Sequence, residues 1–419
     1  MIAPHPAWFA LVESNTTGTG RLFCARARVH SLRPVVLTSD PSRYPYLTQD
    51  DIDVLVVDTG SLDEVHEACR RLAVENLAGV TSSSEYFAGS AAAVAGKLGL
   101  PGPDPDAIER CRNKESQRAA LAAAGVTAPR SRGISTVDSA RQAAEELGWP
   151  IVLKPTTGSG SVGVRLCRDL AEVQAAAADL LRDTVNERGM PAPRRALVEE
   201  HVNGAEYSVE TFDGAVVGIT RKYLGPAPFF VETGHDFPAS LLEDERRALE
   251  ATTTAALTAL DLGWGAAHTE LRMSQHGPAV IEVNPRLAGG MIPTLVGLVC
   301  GIDLVDAVIV RASGRKPTLR ATTLDKHAAV RFVLAPGSGT VGVVEGLAEA
   351  RESPGVRLAE LTVAPGHEHE LTNSFRDRLG YVIAVGADQP TTTAAAERAR
   401  DLIRVRLRRA TETSTGAAP

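Results

Sequence analysis

The chain has 419 residues, with 44 basic and 51 acidic side chains and a net charge of −7 when histidine is neutral. This length corresponds to two or three domains of about 150 residues each. The apolar fraction of 44% and the charged fraction of 23% exclude a wholly disordered or fibrous chain. Because the acidic balance lacks the basic face that nucleic-acid phosphates require, we expect no nucleic-acid partner.

The cysteines and the apolar segments favour a cytoplasmic protein. The five cysteines are scattered and form no C-x-x-C pair, so neither a disulfide framework nor a zinc site is predicted. The first residues lack the positively charged region of a secretory signal peptide. The longest apolar tract, 291–310, contains Pro293, Asp303 and Asp306, which argues against a membrane span. We therefore expect no membrane partner.

The first third of the chain has the pattern of a parallel α/β sheet. The apolar runs FALVE, PVVLTSD and DVLVVD alternate with helical stretches, including one over 62–77. Strands separated by helices in this way are typical of a parallel sheet. The turn-rich segment 99–105 marks a boundary. We predict an N-terminal Rossmann-like domain over 1–105.

The remainder of the chain has strand-like runs separated by short turns from Ile151 onward. This pattern favours an antiparallel or mixed sheet. We predict a linker helix and a small central subdomain over 106–205, followed by a larger C-terminal domain over 206–410. In the last part, an alternating-charge helix over 394–409 precedes a tail, 411–419, whose composition predicts disorder.

The segment KPTTGSGSVGV, 154–164, combines a lysine at a strand end with a glycine- and hydroxyl-rich loop. Unhindered backbone N–H groups and one mobile positive charge suit a polyphosphate. The lysine precedes the glycines, so the spacing is not that of a P-loop. By itself, the segment is equally compatible with a flexible hairpin turn that carries a surface lysine.

Two strands near the middle of the chain carry paired oxygen ligands. Alternation puts His268, Glu270 and Arg272 on one face of the first strand, and Glu282 and Asn284 on one face of the second. The intervening turn would place Glu270 across from Glu282, where two carboxylates need a cation between them or a shared proton. Such hard ligands suit Mg²⁺ that is also held by substrate phosphates. Two solvent-facing acids on an amphipathic hairpin are the alternative.

Together these features resemble the ATP-grasp ligases in order and spacing. The residues and motifs that carry the resemblance are Lys114, Lys154 with its glycine-rich loop, Glu199 to Glu206, Glu270, and Glu282-x-Asn284-Pro285-Arg286. Two strings, GPAPFFVETGHDFPASL at 225–241 and NPRLAGGM at 284–291, resemble the carboxylate-amine ligases that include the L-amino acid (dipeptide) ligases. The resemblance implies an ATP-grasp architecture of class α/β, with an N-terminal parallel α/β domain, a small central α+β lid subdomain and a C-terminal mixed-sheet domain.

The resemblance also implies roles for individual residues. The ATP phosphates would be held by Lys114, Lys154, Ser159, Gly160 and Ser161. Adenine would face Glu199 and the backbone of Glu200 and Val202, and the ribose would bind Glu206. Two Mg²⁺ ions, with Mn²⁺ as the alternative metal, would be held by Glu270, Glu282 and Asn284. The acyl phosphate would be stabilised by Arg286 and by the N–H groups near Gly289. The amino-acid pocket would be lined by Glu232, His235, Arg286 and Gly290, and we expect the absent side chain at Gly290 to leave it roomy.

The activity that the resemblance implies is an ATP- and Mg²⁺-dependent carboxylate-amine ligation. The substrates would be a small carboxylate and a small amine, and a homodimer is the commonest assembly for such an enzyme. We expect the loop 158–163 to act as a lid and the segment 223–237 to cover the acceptor. Two alternatives stay open: an acceptor that is carrier-bound, a peptide or an unusual amine in a biosynthetic pathway, and a regulatory module that binds ATP without turnover.

Overall fold

A computed structural model describes residues 6–15, 19–182, 185–186, 190–319 and 325–408. The predicted disordered tail, 411–419, lies outside the described residues. The fold class predicted from the sequence is confirmed, since a parallel sheet at the N-terminal end is followed by antiparallel sheets. The predicted domain boundaries stay a prediction.

The N-terminal part is a four-stranded parallel sheet in the order β3-β2-β1-β4. Its strands are β1 Trp8–Val12, β2 Arg33–Thr38, β3 Asp53–Val56 and β4 Leu77–Thr81, and its helices are α1 Thr19–Val29, α2 Tyr46–Gln49, α3 Leu62–Glu75 and α4 Ala88–Lys97. Alternate residues of β1 pack into two separate apolar clusters, so both faces of the sheet are covered. Helix α3 ends earlier than predicted, because Asn76 adopts a left-handed φ of 105° and β4 follows at once.

Two consecutive helices lead into a small antiparallel sheet in the order β5-β8-β6-β7. The elements are α5 Pro105–Arg112, α6 Lys114–Ala123, β5 Ser131–Ile134, α7 Val137–Leu147, β6 Ile151–Pro155, β7 Arg165–Cys167, α8 Leu170–Arg182 and β8 Ala196–Glu200. Asn113 separates α5 from α6, and its side-chain oxygen accepts hydrogen bonds from the N–H groups of Glu115 and Ser116. This cap fixes the position of Lys114 at the first turn of α6.

The largest sheet has eight strands in the order β13-β12-β9-β10-β11-β14-β18-β16. Its pairings are antiparallel throughout, which is one of the two alternatives that the strand pattern allowed, whereas the resemblance implied a mixed sheet. The elements of this region are β9 Ala205–Phe212, β10 Ala215–Leu224, β11 Glu232–Phe237, α9 Glu243–Ala259, β12 Ala266–Ser274, β13 Gly277–Asn284, α10 Ile292–Cys300, α11 Leu304–Ala312, β14 His327–Leu334, β15 Gly339–Glu345, α12 Leu347–Glu352, β16 Val356–Leu361, β17 Glu368–His369, β18 Arg378–Gly386, α13 Gln389–Leu402 and β19 Arg404–Arg408. The sheet order places β9, β10, β11 and β12 side by side, and these strands carry most of the polar residues described below.

The predicted terminal helix over 394–409 is wrong at both ends. Helix α13 begins at Gln389, after the side chain of Asp388 caps it, and ends at Leu402. Residues Arg404–Arg408 form a strand that pairs with β15 in a separate three-stranded sheet. The strand follows from the alternation of Arg404, Arg406 and Arg408 with two apolar residues, which has the period of two of a half-exposed strand rather than a helical period.

Within the described residues, no single helix is long and apolar enough to cross a membrane. Helices α10 and α11 pass the length and composition criterion only as a pair, which is bent by 100°. Both helices contribute buried residues to the apolar clusters of the fold.

Candidate active site

Lys114 joins the glycine-rich loop to the carboxylate hairpin. Its Nζ lies 2.9 Å from Oε1 of Glu282 and donates to the carbonyl oxygen of Gly158 at 2.7 Å. The backbone N–H of Lys114 donates to the carbonyl of Thr156 at 2.8 Å. Helix α6, the loop and strand β13 therefore meet at one cationic side chain.

Lys154 forms a second, buried charge cluster with Glu199 and Arg118. Nζ of Lys154 lies 2.6 Å from Oε2 of Glu199, and Nε of Arg118 lies 2.7 Å from Oε1. Burial lowers the pKa of Lys154 to about 8. Burial would raise the pKa of Glu199, but Arg118 and Lys154 outweigh it and hold the pKa below the usual value. The carboxylate of Glu199 is thus paired with two cations. Any contact with adenine would have to come from other atoms of strand β8.

The remaining residues predicted to face the nucleoside lie along the same stretch. The carboxylate of Glu200 accepts from the backbone N–H and Nε of Arg130 at 3.0 and 2.7 Å. The carbonyl of Val202 accepts from Nη1 of Arg272 at 3.0 Å. Glu206 is buried and accepts from Nε of Arg272 at 2.9 Å.

Lys222 is the centre of the site, and it was not among the predicted residues. Its side chain is 1% exposed, and Nζ lies 2.8 Å from Glu232, 2.9 Å from Glu270 and 3.1 Å from Glu206. Burial would lower the pKa of Lys222, but the three carboxylates raise it well above its usual value. One ammonium group therefore holds together carboxylates from β9, β11 and β12.

The hairpin of β12 and β13 places Glu270 opposite Glu282, which confirms the predicted pairing. The register shifts between Glu270 and Leu271, so Ile281 is an extra residue in β13. The carbonyl of Ile281 accepts from Nη2 of Arg118 at 2.5 Å. Glu270 and Glu282 thus face each other because of the bulge at Ile281, which a symmetric hairpin would not contain.

His268 lies between two carboxylates on the same hairpin. Its Nδ1 is 2.8 Å from Oε1 of Glu210, and its Nε2 is 3.0 Å from Oε1 of Glu270. Burial lowers the pKa of His268, but the two carboxylates outweigh it and raise the pKa to about 9. The ring is therefore an imidazolium at neutral pH and donates through both nitrogens.

The oxygen donors of the hairpin fit a metal that shares its ligands with a substrate. Glu270, Glu282 and Asn284 supply two carboxylates and one amide, the donor type that Mg²⁺ prefers. Within the described residues, no three His, Cys, Asp or Glu side chains form a metal site by themselves. Lys222 and Lys114 pair with the two carboxylates in this structure. The arrangement suits an ion that is bound together with phosphate oxygens.

A cavity of about 1620 Å³ lies beside the hairpin, between the N-terminal sheet and the eight-stranded sheet. Arg286, Gly289 and Gly290 all line it. Nη2 of Arg286 lies 2.6 Å from Oε2 of Glu85, and Nη1 donates to the carbonyl of Leu287 at 2.9 Å. Glu85, which the sequence interpretation did not single out, therefore fixes the guanidinium from the N-terminal side.

Glu232 and His235 come from β11; Glu232 lines this cavity, whereas His235 is fully buried behind Gly290 of its wall. Glu232 is 2.5 Å from Nη2 of Arg378, and Nε2 of His235 is 3.3 Å from Oε2 of Glu232. Burial lowers the pKa of His235. Within the described residues, Nδ1 has no hydrogen-bond partner, and the contact of Nε2 with Glu232 is a close approach without good hydrogen-bond geometry. A Cβ at Gly290 would lie 2.5 Å from Nε2 of His235. The space beside Gly290 is therefore occupied by the imidazole ring of His235. The absence of a side chain at Gly290 does not leave the roomy pocket that we expected.

The glycine-rich loop lies against two other segments. Oγ of Ser161 donates to the carbonyl of Phe230 at 2.9 Å, inside the segment 223–237. The N–H of Phe375 donates to the carbonyl of Gly160 at 3.1 Å. Ser159 and Gly160 line the cavity. These contacts hold the loop against the wall of the cavity.

The structure thus brings most of the predicted residues into two linked charge clusters beside one cavity. The residues that sequence reasoning missed are Lys222, Arg118, Glu85, Arg378 and Phe375. Of these residues, only Lys222 could have been noticed in the sequence, because it is a lysine inside the otherwise strand-like run AVVGITRKYL. The others act through contacts between segments that are far apart in the chain.

Comparison with known proteins identifies the family. Residues 147–294 match the family described as "ATP-grasp domain", and residues 331–408 match "L-amino acid ligase C-terminal domain 2". The chain is 38% identical over 394 residues to the "Uncharacterized protein y4rH" of Sinorhizobium fredii, covering 94% of this chain and 81% of that protein. It is 29% identical over 252 residues to the alanine–anticapsin ligase of Bacillus amyloliquefaciens, covering 55% of this chain and 52% of that protein, which is about half the relative's length.

The fold is similar to that of the L-amino acid ligase from Bacillus licheniformis, with a TM-score of 0.80, 23% identity, and coverage of 96% of this chain and 99% of that one. This likeness concerns the fold alone. The two family matches and the relative at 38% identity assign the chain to its family. The chain belongs to the ATP-grasp family, among its carboxylate-amine ligases that resemble the L-amino acid ligases.

Proposed function

We propose that the protein joins the carboxylate of an amino-acid-like substrate to an amine and converts ATP to ADP and phosphate. The observation that carries this proposal is the position of Lys114, which bonds both to the glycine-rich loop that follows Lys154 and to Glu282, opposite Glu270, at the edge of a cavity lined by Arg286. Lysines beside a glycine-rich loop suit polyphosphate, and paired carboxylates suit a metal shared with it.

ATP binding would change the partners of Lys114. In the structure, its ammonium is shared between Glu282 and the carbonyl of Gly158. We infer that the ammonium moves to a phosphate oxygen, which leaves Glu282 to hold Mg²⁺ or Mn²⁺ with Glu270 and Asn284. Two ions at this place would supply charge neutralisation for the transferred phosphoryl group. Adenine and ribose would lie along 199–206, with Glu206 held ready by Arg272.

The chemistry proceeds in two displacements. An oxygen of the substrate carboxylate attacks the γ-phosphorus, the bond to the β-phosphate oxygen breaks, and ADP leaves. The amine then attacks the acyl carbon, and the carbon–oxygen bond to phosphate breaks to give the amide. Arg286, fixed by Glu85, would stabilise the anionic acyl phosphate. Neutral His235, buried beside the cavity-lining residues Glu232 and Gly290, would accept the proton that the amine loses.

The acyl phosphate must be protected from water, because hydrolysis would waste ATP. The loop 158–163 would provide this protection, since Ser159 and Gly160 form part of the cavity wall. Segment 223–237 carries Glu232 and His235 and contacts the loop through Phe230. The loop and this segment together would enclose the substrates.

The function is tested by incubating the protein with ATP, Mg²⁺ and each single proteinogenic amino acid or pair of amino acids. Phosphate release is measured and products are identified by mass spectrometry. We expect release that requires a particular pair, and a product lighter than the pair by one water. Hydroxylamine in place of the acceptor should trap the acyl phosphate as a hydroxamate. Hydroxamate without any dipeptide would favour a carrier-bound, peptide or unusual amine acceptor, and the absence of both products would refute the proposal for amino-acid carboxylates.

A further inference from the structure

Phe375, in the C-terminal part of the chain, contacts the glycine-rich loop. The N–H of Phe375 donates to the carbonyl of Gly160 at 3.1 Å. The ring lies so close to Gly160 that a Cβ there would be 2.2 Å from Cδ1. Both residues line the cavity. The contact therefore forms part of the wall that separates the reacting groups from solvent.

Phe375 is presented by a turn that is rigidly held. Asp377 is 3% exposed and accepts from the N–H and Oγ1 of Thr372 at 2.9 Å and from the N–H of Ser374 at 3.2 Å. Ser374 caps the short 3₁₀ helix Phe375–Asp377. Because buried polar contacts fix this turn, the ring has a defined position to which the loop can dock.

The same turn is tied to the substrate pocket. Arg378 follows directly and lies 2.5 Å from Glu232, with its guanidinium 4.1 Å from the centre of the Phe332 ring. The loop has left-handed backbone at Gly158, Gly160 and Ser161, and backbone hydrogen bonds run within it from Val162 to Ser159 and from Val164 to Ser161. This loop and the fixed turn meet beside the pocket.

We propose that Phe375 is a positioning residue that latches the loop 158–163 shut over the acyl phosphate and so excludes water during amide formation. The inference rests on the proposed function. Segment 374–378 lies outside the matched ATP-grasp domain. The latch gives this segment a role in coupling ATP consumption to product formation. The latch acts on the fate of the intermediate and not on its formation.

The test measures phosphate released per amide formed, with the best substrate pair, for wild type and for Phe375→Ala. We expect wild type to release close to one phosphate per amide. In Phe375→Ala, the ratio of phosphate to amide should rise roughly tenfold, because this is the size of effect expected from the loss of one aromatic contact between the loop and the turn. Phe375→Leu should restore most of the coupling. The matched control is Leu371→Ala, which removes a side chain that is 41% exposed in the same segment.

Hydrogen exchange of the peptide 156–166 gives a readout that does not need activity. We expect faster exchange at 158–163 in Phe375→Ala than in wild type or Leu371→Ala. Gly160→Ala, which forces the loop away from the ring, should have the same effect. Its control is Gly125→Ala, since Gly125 has a φ of 69° but no atom within 4 Å of the added Cβ. Wild-type coupling and exchange in Phe375→Ala would overturn the latch, whereas a wild-type protein that forms neither a dipeptide nor a hydroxamate would instead refute the proposed function.

Discussion

Replacement of Lys222 by methionine should destabilise the fold strongly, because it removes the cation shared by three buried carboxylates. The cluster in the structure is balanced: Lys222, Arg272, Arg378 and the His268 imidazolium face four glutamates, which are Glu206, Glu210, Glu232 and Glu270. Methionine keeps the length of the side chain but leaves one buried negative charge without compensation. Breaking a buried ion pair from one side costs about 3–5 kcal/mol, and we expect a loss of free energy of unfolding in this range.

The assay is urea unfolding at pH 7 followed by circular dichroism, with Lys97→Met as the control. Lys97 is 45% exposed and lies 3.7 Å from an aspartate that is 95% exposed, so its removal should cost less than about 1 kcal/mol. The deficit of Lys222→Met should shrink as the pH falls. Burial raises the pKa of Glu232, but Lys222 and Arg378 hold it well below its usual value. Without Lys222 that pKa rises, so protonation removes the uncompensated charge sooner. A loss no larger than that of the control, or one independent of pH, would refute this reasoning.

Three further predictions concern catalysis and nucleotide binding. Glu282→Ala should lower kcat/KM by about 100-fold or more because it removes a metal ligand. Glu352→Ala, at the exposed end of α12, is the control and should leave kcat/KM unchanged. Equal activities of the two variants in a coupled phosphate assay would contradict the metal assignment. Lys154, with a pKa of about 8 before ATP binds, should take up a proton on binding at pH 8.5, because phosphate raises that pKa. Calorimetry in buffers of different ionisation enthalpy detects this uptake, and its absence would place Lys154 away from the phosphates. Glu85→Gln should loosen Arg286 and reduce kcat about tenfold with little change in the KM for ATP, and an unchanged kcat would remove Glu85 from the site.

The carboxylate hairpin shows what the sequence could predict and where it failed. Strand alternation and an assumed symmetric turn predicted Glu270 and Glu282 on one surface and opposite each other, and the structure contains this pair. The bulge at Ile281 that makes this pairing possible was not predicted. Its carbonyl is held by Arg118, which lies on a helix more than 160 positions away along the chain. A local pattern gives the face of a strand, whereas the register also depends on distant contacts.

Lys222 could not be assigned from its neighbours in the sequence. Two adjacent basic residues, Arg221 and Lys222, lie on strand β10. The order of strands β12, β9, β10 and β11 brings three carboxylates from both neighbouring sides of β10 to Lys222, and this order is not visible in the local sequence. Phe375 is a similar case, because nothing near it in the chain points to the loop that it touches.

The most direct test of the ligase mechanism follows the oxygen atoms. An amino acid labelled with heavy oxygen in its carboxylate is supplied with ATP, Mg²⁺ and the acceptor, and the released phosphate is examined by mass spectrometry. Attack of the carboxylate on the γ-phosphorus, followed by displacement of phosphate from the acyl carbon, predicts one heavy oxygen in each phosphate molecule and ADP as the other product. Unlabelled phosphate, or AMP with pyrophosphate, would contradict the acyl phosphate and with it the functions proposed for Arg286 and Phe375.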